Sequence, residues 1–157
     1  MNYLNKIIII LTILLLSSCN TSYNVSVFAE SCVSGDCVNG YGTYDWDNGE
    51  KYVGEFKNGI KEGLGTFIYA NGQKYVGEFK NDARDGLGAL TYADGQKYVG
   101  EFKNGRIERQ GTFTYASGDK YVGEFKNGIK EGQGAFTSVD GTTKTVFWKN
   151  GNLITVN

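Results

Sequence analysis

The sequence predicts an all-β protein, an elongated antiparallel meander of stacked β-hairpin repeats that follows an N-terminal signal peptide. Two observations predict this fold: one eight-residue segment recurs every 23 residues, and apolar and polar side chains alternate within each period. The chain of 157 residues contains 23 glycines and no proline, and 14% of its residues are aromatic. This composition indicates many tight turns beside a packed aromatic core.

Residues 1–18 are predicted to be a lipoprotein signal peptide. Lys6 precedes an apolar run at residues 7–16, which is shorter than the roughly 20 residues that a membrane-spanning helix needs. Leu-Ser-Ser-Cys at residues 16–19 then resembles the bacterial lipobox, in which the cysteine is acylated, for example with palmitate, and becomes the first residue. We therefore expect Cys19 to carry acyl chains that hold the protein at a membrane. The alternative is an ordinary signal or an uncleaved anchor, with Cys19 incidental.

Residues 19–31 are predicted to form a polar, flexible tether between the lipid anchor and the folded part. Asn20 follows the acylated cysteine. Resemblance to the sorted lipoproteins of two-membrane bacteria implies delivery to the outer membrane, if the host has one. Otherwise we expect the protein on the outer face of the cytoplasmic membrane.

An N-terminal cap with a partial repeat is predicted at residues 32–49. Cys32 and Cys37 flank a turn-like segment and lie beyond the signal, so in an exported chain they are a candidate disulfide. Free thiols and a redox pair are the alternatives, and the spacing differs from the Cys-x-x-Cys pattern of a redox pair. The bridge would stabilise the exposed first edge of the array.

Four repeats of 23 residues are predicted at residues 50–140. The segment Lys-Tyr-Val-Gly-Glu-Phe-Lys-Asn begins at residues 51, 74, 97 and 120. In its first copy Tyr52, Gly54 and Phe56 share one face of a strand, and the residues between them share the other. Asn58-Gly59 predicts a tight turn, and a second alternating strand follows at residues 63–69. Each period is therefore a β-hairpin.

The glycines that share a face with the rings are predicted to let neighbouring aromatic side chains lie flat over the backbone. A single hairpin is marginally stable in water, so the repeats must stack and bury a continuous aromatic row. A C-terminal cap repeat is predicted at residues 141–157. There Lys144 stands at the tyrosine position and Trp148 at the phenylalanine position, as expected for a terminal unit.

The repeated unit consists of three motifs in order: Tyr-Val-Gly-Glu-Phe-Lys-Asn-Gly, Glu-Gly-Leu-Gly-Thr-Phe and a Tyr-Ala-Asn-Gly turn. Together these motifs resemble the MORN (membrane occupation and recognition nexus) repeat. The resemblance covers residues 40–151 and implies a stacked hairpin array associated with membranes, phospholipids, scaffolding or dimerisation. Four positions depart from the pattern: Asp82 and Arg109 replace glycines, and Leu90 and Ser138 replace aromatic residues.

Several function classes are excluded or disfavoured by composition. The absence of histidine excludes serine–histidine and cysteine–histidine catalysis and histidine-ligated metals. A formal net charge of −1 does not suit a nucleic-acid partner. We therefore predict no enzyme, cofactor or metal. A glycan-acting hydrolase that uses Asp45 and Asp47 is a weaker alternative, because nothing indicates a cleft around them.

The candidate ligand-facing residues form two rows that recur with the repeat: Tyr52, Tyr75, Tyr98, Tyr121, Lys57, Lys80, Lys103 and Lys126. Packing is the favoured role for the tyrosines. A solvated face is the favoured role for the lysines, since glutamates of the same strands would neutralise much of their charge.

The predicted function is a membrane-anchored binding or scaffolding module with a protein partner in the cell envelope. Phospholipid-headgroup binding is the second hypothesis, through the lysine row named above and a further row of Lys51, Lys74, Lys97 and Lys120. Because the ends of the sheet carry unpaired strands, an edge or end-to-end homodimer is a further expectation.

Overall fold

The computed structural model describes residues 31–156, which form one sheet of twelve antiparallel strands in chain order. The strands are β1 Ser31–Gly35, β2 Tyr41–Asp45, β3 Lys51–Lys57, β4 Ile60–Ile68, β5 Lys74–Lys80, β6 Ala83–Thr91, β7 Lys97–Lys103, β8 Arg106–Thr114, β9 Lys120–Lys126, β10 Ile129–Thr137, β11 Thr143–Lys149 and β12 Asn152–Val156. The predicted all-β meander is confirmed. The predicted signal peptide, Cys19 and nearly all of the tether lie outside the described residues. Within residues 31–156 no helix meets the length and apolarity that a membrane crossing requires.

Asn-Gly pairs make the turns within the hairpins, as predicted. Asn58 and Gly59 have φ values of 52° and 77°, which is the pair of positive angles that a type I′ hairpin turn requires. Asp82 replaces the glycine in the next hairpin and still adopts φ 65°. Asparagine and aspartate tolerate this region better than other non-glycine residues. The departure at Asp82 therefore leaves the turn intact.

A row of paired glycines crosses the sheet and lets the tyrosine rings lie against the backbone. Gly54 pairs with Gly65, which pairs with Gly77 on the next strand. A Cβ at Gly65 would lie 2.4 Å from the Tyr52 ring. The Tyr52 hydroxyl extends past these glycines and donates to the carbonyl of Glu55 at 3.0 Å. The predicted contact of rings with glycine backbone is thus present.

Each hairpin turn is held to the preceding repeat by two hydrogen bonds. The Asn81 N–H donates to the Glu62 carboxylate at 3.0 Å, and the Asp82 N–H donates to the Lys61 carbonyl at 3.0 Å. The same pair of bonds recurs one, two and three repeats later; the other carboxylate acceptors are Asp85, Glu108 and Glu131. These turn clamps fix the spacing between neighbouring hairpins.

We expect Glu62→Ala to lower the free energy of unfolding by about 1 kcal/mol, because the substitution leaves the Asn81 N–H without its carboxylate acceptor. Urea unfolding followed by circular dichroism measures this loss. Glu124→Ala is the matched control, since among residues 31–156 the Glu124 side chain accepts no hydrogen bond. Equal losses in the two variants would show that the turn clamps contribute nothing.

Candidate binding surface on the aromatic face

The predicted tyrosine row forms a buried ladder on one face of the sheet, here called the aromatic face. The four tyrosines have 0% exposure. Tyr75 makes edge-to-face contacts with Phe79 of its own repeat and with Phe102 of the next, at centroid distances of 5.1 and 5.0 Å. This inner ladder consists of Phe56, Tyr52, Phe79, Tyr75, Phe102, Tyr98, Phe125, Tyr121 and Trp148.

Complete burial assigns Tyr52, Tyr75, Tyr98 and Tyr121 to packing and leaves them no surface for a ligand. The interpretation of these tyrosines as ligand-facing therefore does not hold, and the favoured packing role does. The physical reason is the glycine row, which lets each ring sink to the level of the backbone, where phenylalanines of two repeats cover it.

Burial also changes the acidity of the inner-ladder tyrosines. Desolvation, with the Glu124 carboxylate second, raises the pKa of Tyr121 to about 12. Burial raises the pKa of Tyr75 to about 12, although the Arg84 guanidinium opposes the shift. The pKa values of Tyr52 and Tyr98 are raised as well, first by burial and then by glutamate carboxylates. The inner ladder therefore favours the neutral form of these tyrosine side chains.

We expect the array to unfold in alkali. Because the folded-state pKa of these tyrosines lies above the unfolded value of 10.0, their stabilisation is complete below pH 10 and is lost as the pH rises toward about 12. Circular dichroism and phenolate absorbance should change together over that interval. Ionisation of all tyrosines with the β-sheet signal unchanged would contradict this expectation.

A second row of side chains, nearly all of them rings, lies beside the inner ladder and remains partly exposed. This outer row contains Tyr44, Trp46, Phe67, Tyr69, Leu90, Tyr92, Phe113, Tyr115 and Phe136. Its rings contact one another, as in Trp46 with Phe67 at 5.5 Å and Phe113 with Tyr115 at 4.9 Å. Phe67 and Leu90 are buried, and the others keep part of their surface accessible. The outer row is thus the aromatic surface that can contact a partner.

Cations lie over the rings of the aromatic face at a position that recurs with the repeat. The Lys61 ammonium lies 5.4 Å from the centroid of Trp46, and the Arg84 guanidinium lies 5.2 Å from that of Phe102. The Lys130 ammonium lies 4.4 Å from the centroid of Trp148. Ile107 occupies the same position in the third repeat. These cation–π contacts place three cations on an otherwise apolar surface, and the Asp82 carboxylate neutralises the ammonium of Lys61.

The lysine candidates lie on the opposite, polar face. Lys57, Lys80, Lys103 and Lys126 are exposed, and within residues 31–156 only Lys103 has a carboxylate within 4.0 Å, that of Asp85. The predicted pairing with strand glutamates is not made. The Glu55 and Glu78 carboxylates instead accept from the backbone N–H groups of Leu64 and Leu87, and Glu101 pairs with Arg109.

The two cysteines of the N-terminal cap lie at disulfide distance, with their Cα atoms 5.9 Å apart. A Cβ at Gly42, which pairs with Gly54, would lie 2.7 Å from the Cys37 sulfur, so this sulfur covers Gly42 as the Tyr52 ring covers Gly54. The cysteine pair thus occupies the place of an aromatic residue at this end of the sheet.

The described residues offer no assembled catalytic or metal centre at the carboxylates named above. Asp45 pairs with Lys51 at 3.2 Å. No cluster of three histidine, cysteine, aspartate or glutamate residues suited to a metal occurs in the range 31–156. The rings and cations of the aromatic face, by contrast, are arranged in a way that suits binding.

Comparison with known proteins yields one family. The model of the MORN repeat matches residues 39–51, 52–74, 75–97, 98–120 and 121–143. No curated protein matches the chain. Among solved structures the chain is similar to the SAS-4 (dCPAP) TCP domain, determined in complex with a proline-rich motif of Ana2 (dSTIL) of Drosophila melanogaster. The identity is 13% and the TM-score 0.41, with 87% of this chain and 94% of that chain covered.

Proposed function

Because the chain belongs to the MORN repeat family, we propose that it is a non-catalytic binding or scaffolding module anchored in the cell envelope. The observation that carries this proposal is the partly exposed outer row of the aromatic face. Monomeric proteins seldom leave a contiguous apolar surface open unless it meets a partner. Tryptophan, tyrosine and arginine, which occur together on this face, are also the side chains that contribute most to the binding free energy of protein interfaces.

Partner capture with the full chain tests the proposal. The tagged protein should enrich at least one envelope protein from a membrane extract. The double variant Tyr69→Ser, Tyr115→Ser should lose that protein, and serine is compatible with this position because Ser138 occupies it in the last repeat. Val76→Ser on the polar face, where Val76 is 45% exposed, is the control. Capture that is unchanged by the double variant would contradict binding through the outer row.

The anchor in this proposal is the acylated Cys19, with delivery to the outer membrane where the host has one. The lipobox resemblance at residues 16–19 supports it. Mass spectrometry of the mature protein should give the mass of a chain that begins at an acylated Cys19 and has two hydrogens fewer for the Cys32–Cys37 bond. A mature chain that retains residues 1–18, or begins elsewhere without acyl groups, would refute the anchor.

A second candidate function is phospholipid-headgroup binding by the polar face. Lys74, Lys97 and Lys120 share one row of this face, and none of them has a carboxylate within 4.0 Å in the described part of the chain. A chain beginning at Asn20 should sediment with phosphatidylglycerol vesicles and should be released as salt is raised. Changing these three lysines to glutamine should abolish sedimentation. Loss of binding only when Lys57, Lys80 and Lys126 are changed would assign it to the other lysine row of the polar face, and binding that survives both sets of changes would contradict this function.

A further inference from the structure

The last cation of the aromatic face, Lys130, lies in a cavity of about 290 Å³ near the C-terminal end of the sheet. Tyr92, Phe113, Tyr115 and Trp148 contribute its aromatic walls. The Lys130 ammonium lies 4.8 Å from the centroid of Tyr115 and donates to the Tyr115 hydroxyl. No carboxylate lies within 4.0 Å of it among residues 31–156.

The first repeat shows what complements such a lysine. Lys61 holds the position of Lys130 three repeats earlier, and its ammonium pairs with the Asp82 carboxylate at 2.8 Å. The same carboxylate accepts from the backbone N–H of Lys61 at 2.9 Å. The Lys61 side chain is only 15% exposed, so the carboxylate satisfies an ammonium that is largely withdrawn from water.

At the last repeat the lysine is kept and the carboxylate is missing. Gly151 stands where Asp82 stands in the earlier turn, and both residues donate their backbone N–H to the carbonyl of the corresponding lysine. Lys130 pairs with Phe125 across the strands as Lys61 pairs with Phe56, so the two lysines share one register. The cavity therefore lacks the anionic group that its own fold supplies elsewhere.

Trp148 forms one wall of this cavity, and the Lys130 ammonium lies 4.4 Å from the centroid of its ring. Its indole nitrogen is buried and has no hydrogen-bond partner within residues 31–156. This N–H is closed to a ligand, and it serves as a spectroscopic reporter of the cavity wall. One ammonium among aromatic walls suits a carboxylate on an apolar stem. A phosphate dianion requires more cationic donors than this cavity holds.

We infer that the Lys130 cavity is a carboxylate-binding site, occupied in the complex by an acidic side chain of the protein partner. The occupant rests on the proposed function, because the partner is the molecule that meets the aromatic face. The carboxylate takes the place relative to Lys130 that the Asp82 carboxylate takes relative to Lys61.

Phenylacetate is the probe for the site, and the two indole N–H signals in ¹⁵N-resolved NMR spectra of the full chain are the readout. Phenylacetate should shift the Trp148 signal saturably and leave the Trp46 signal in place. Phenylacetamide, which lacks the charge, should bind at least tenfold more weakly. Inorganic phosphate should give no saturable shift; a tighter response to phosphate than to phenylacetate would overturn the assignment to a carboxylate.

A matched pair of variants separates the site from its surroundings. Gly151→Asp installs the internal carboxylate and should weaken phenylacetate binding at least tenfold. Gly59→Asp makes the same change at the corresponding turn of the first repeat, which contacts Val38 and does not line the Lys130 cavity, and should change binding less than twofold. Asp82 shows that aspartate is compatible with this turn position, since its φ of 65° is close to the 77° of Gly151. Equal binding by both variants would overturn the proposal.

Partner capture with the same two variants tests whether an acidic side chain of the partner occupies the cavity. A captured envelope protein should be lost with Gly151→Asp and retained with Gly59→Asp, and retention by both would remove the acidic side chain as occupant. If no envelope protein is captured at all while phenylacetate binds as described, the proposed function fails and the carboxylate site stands.

Discussion

Gly77→Ala is expected to lower the free energy of unfolding by about 3 kcal/mol, the upper end of what overpacking costs. A Cβ at Gly77 would lie 2.5 Å from the Gly88 Cα atom and 2.5 Å from the Leu87 carbonyl oxygen. Both are backbone atoms of the neighbouring strand, so no side-chain rotation relieves the clash. The Tyr75 hydroxyl, 2.6 Å away, would be displaced as well. Urea unfolding followed by circular dichroism measures the loss.

Gly95→Ala is the matched control for this substitution. A Cβ at Gly95 meets nothing within 4 Å, and its only penalty is the positive φ of 86°, which costs an alanine about 1 kcal/mol. The difference of about 2 kcal/mol between the two variants isolates the clash within the glycine row. If Gly95→Ala destabilised as much as Gly77→Ala, turn strain would account for both and close strand approach for neither.

Much of the fold could be predicted because each local signal agrees with the next. Alternation around Gly54 predicts the face of each residue, and Asn58-Gly59 predicts the turn and so the register. The return strand is less regular than alternation suggests, since Gly54 pairs with Gly65 whereas Phe56 pairs with Lys61, with Gly63 in a bulge between them. The alternation of the sequence does not reveal this bulge. Glu55 lies opposite residues 62–64, and because both strands advance by an even number of residues there, the side chains on either side of the bulge keep the same face.

The candidate surface was only partly predictable. Tyr52 and Tyr69 both occur once per repeat, and the sequence does not distinguish the fully buried ring from the half-exposed one. That difference arises from the glycines beneath Tyr52, which let its ring lie against two strands. Alternation carried back from Gly65 places Lys61 on the aromatic face, but a lysine there does not stand out in the sequence from the lysines of the polar face. Its approach to the Trp46 ring depends on side-chain direction, which the sequence does not specify.

Tyr98→Ala is expected to have the largest effect of any single substitution in the array, a loss of about 3–5 kcal/mol. The fully buried Tyr98 ring lies 5.3 Å from Phe102 and 5.1 Å from Phe125, so its removal leaves both phenylalanines without their central neighbour. It also uncovers the backbone at Gly100 and Gly111, over which the ring lies. The hydroxyl group accounts for about 1 kcal/mol of the total through its bond to the Glu101 carbonyl, and Tyr98→Phe measures that part.

The position of Tyr98 adds a consequence for cooperativity. Each repeat contacts only its neighbours, so the inner ladder is the main apolar connection between the hairpins on either side of β7. Breaking it in the third repeat should broaden the urea transition or divide it in two, in addition to lowering its midpoint. Val99→Ala, which truncates a neighbour that is 46% exposed on the polar face, should cost less than 1 kcal/mol and leave the transition sharp. A single sharp transition in Tyr98→Ala, with a loss no greater than that of Val99→Ala, would show that the rings do not connect the repeats.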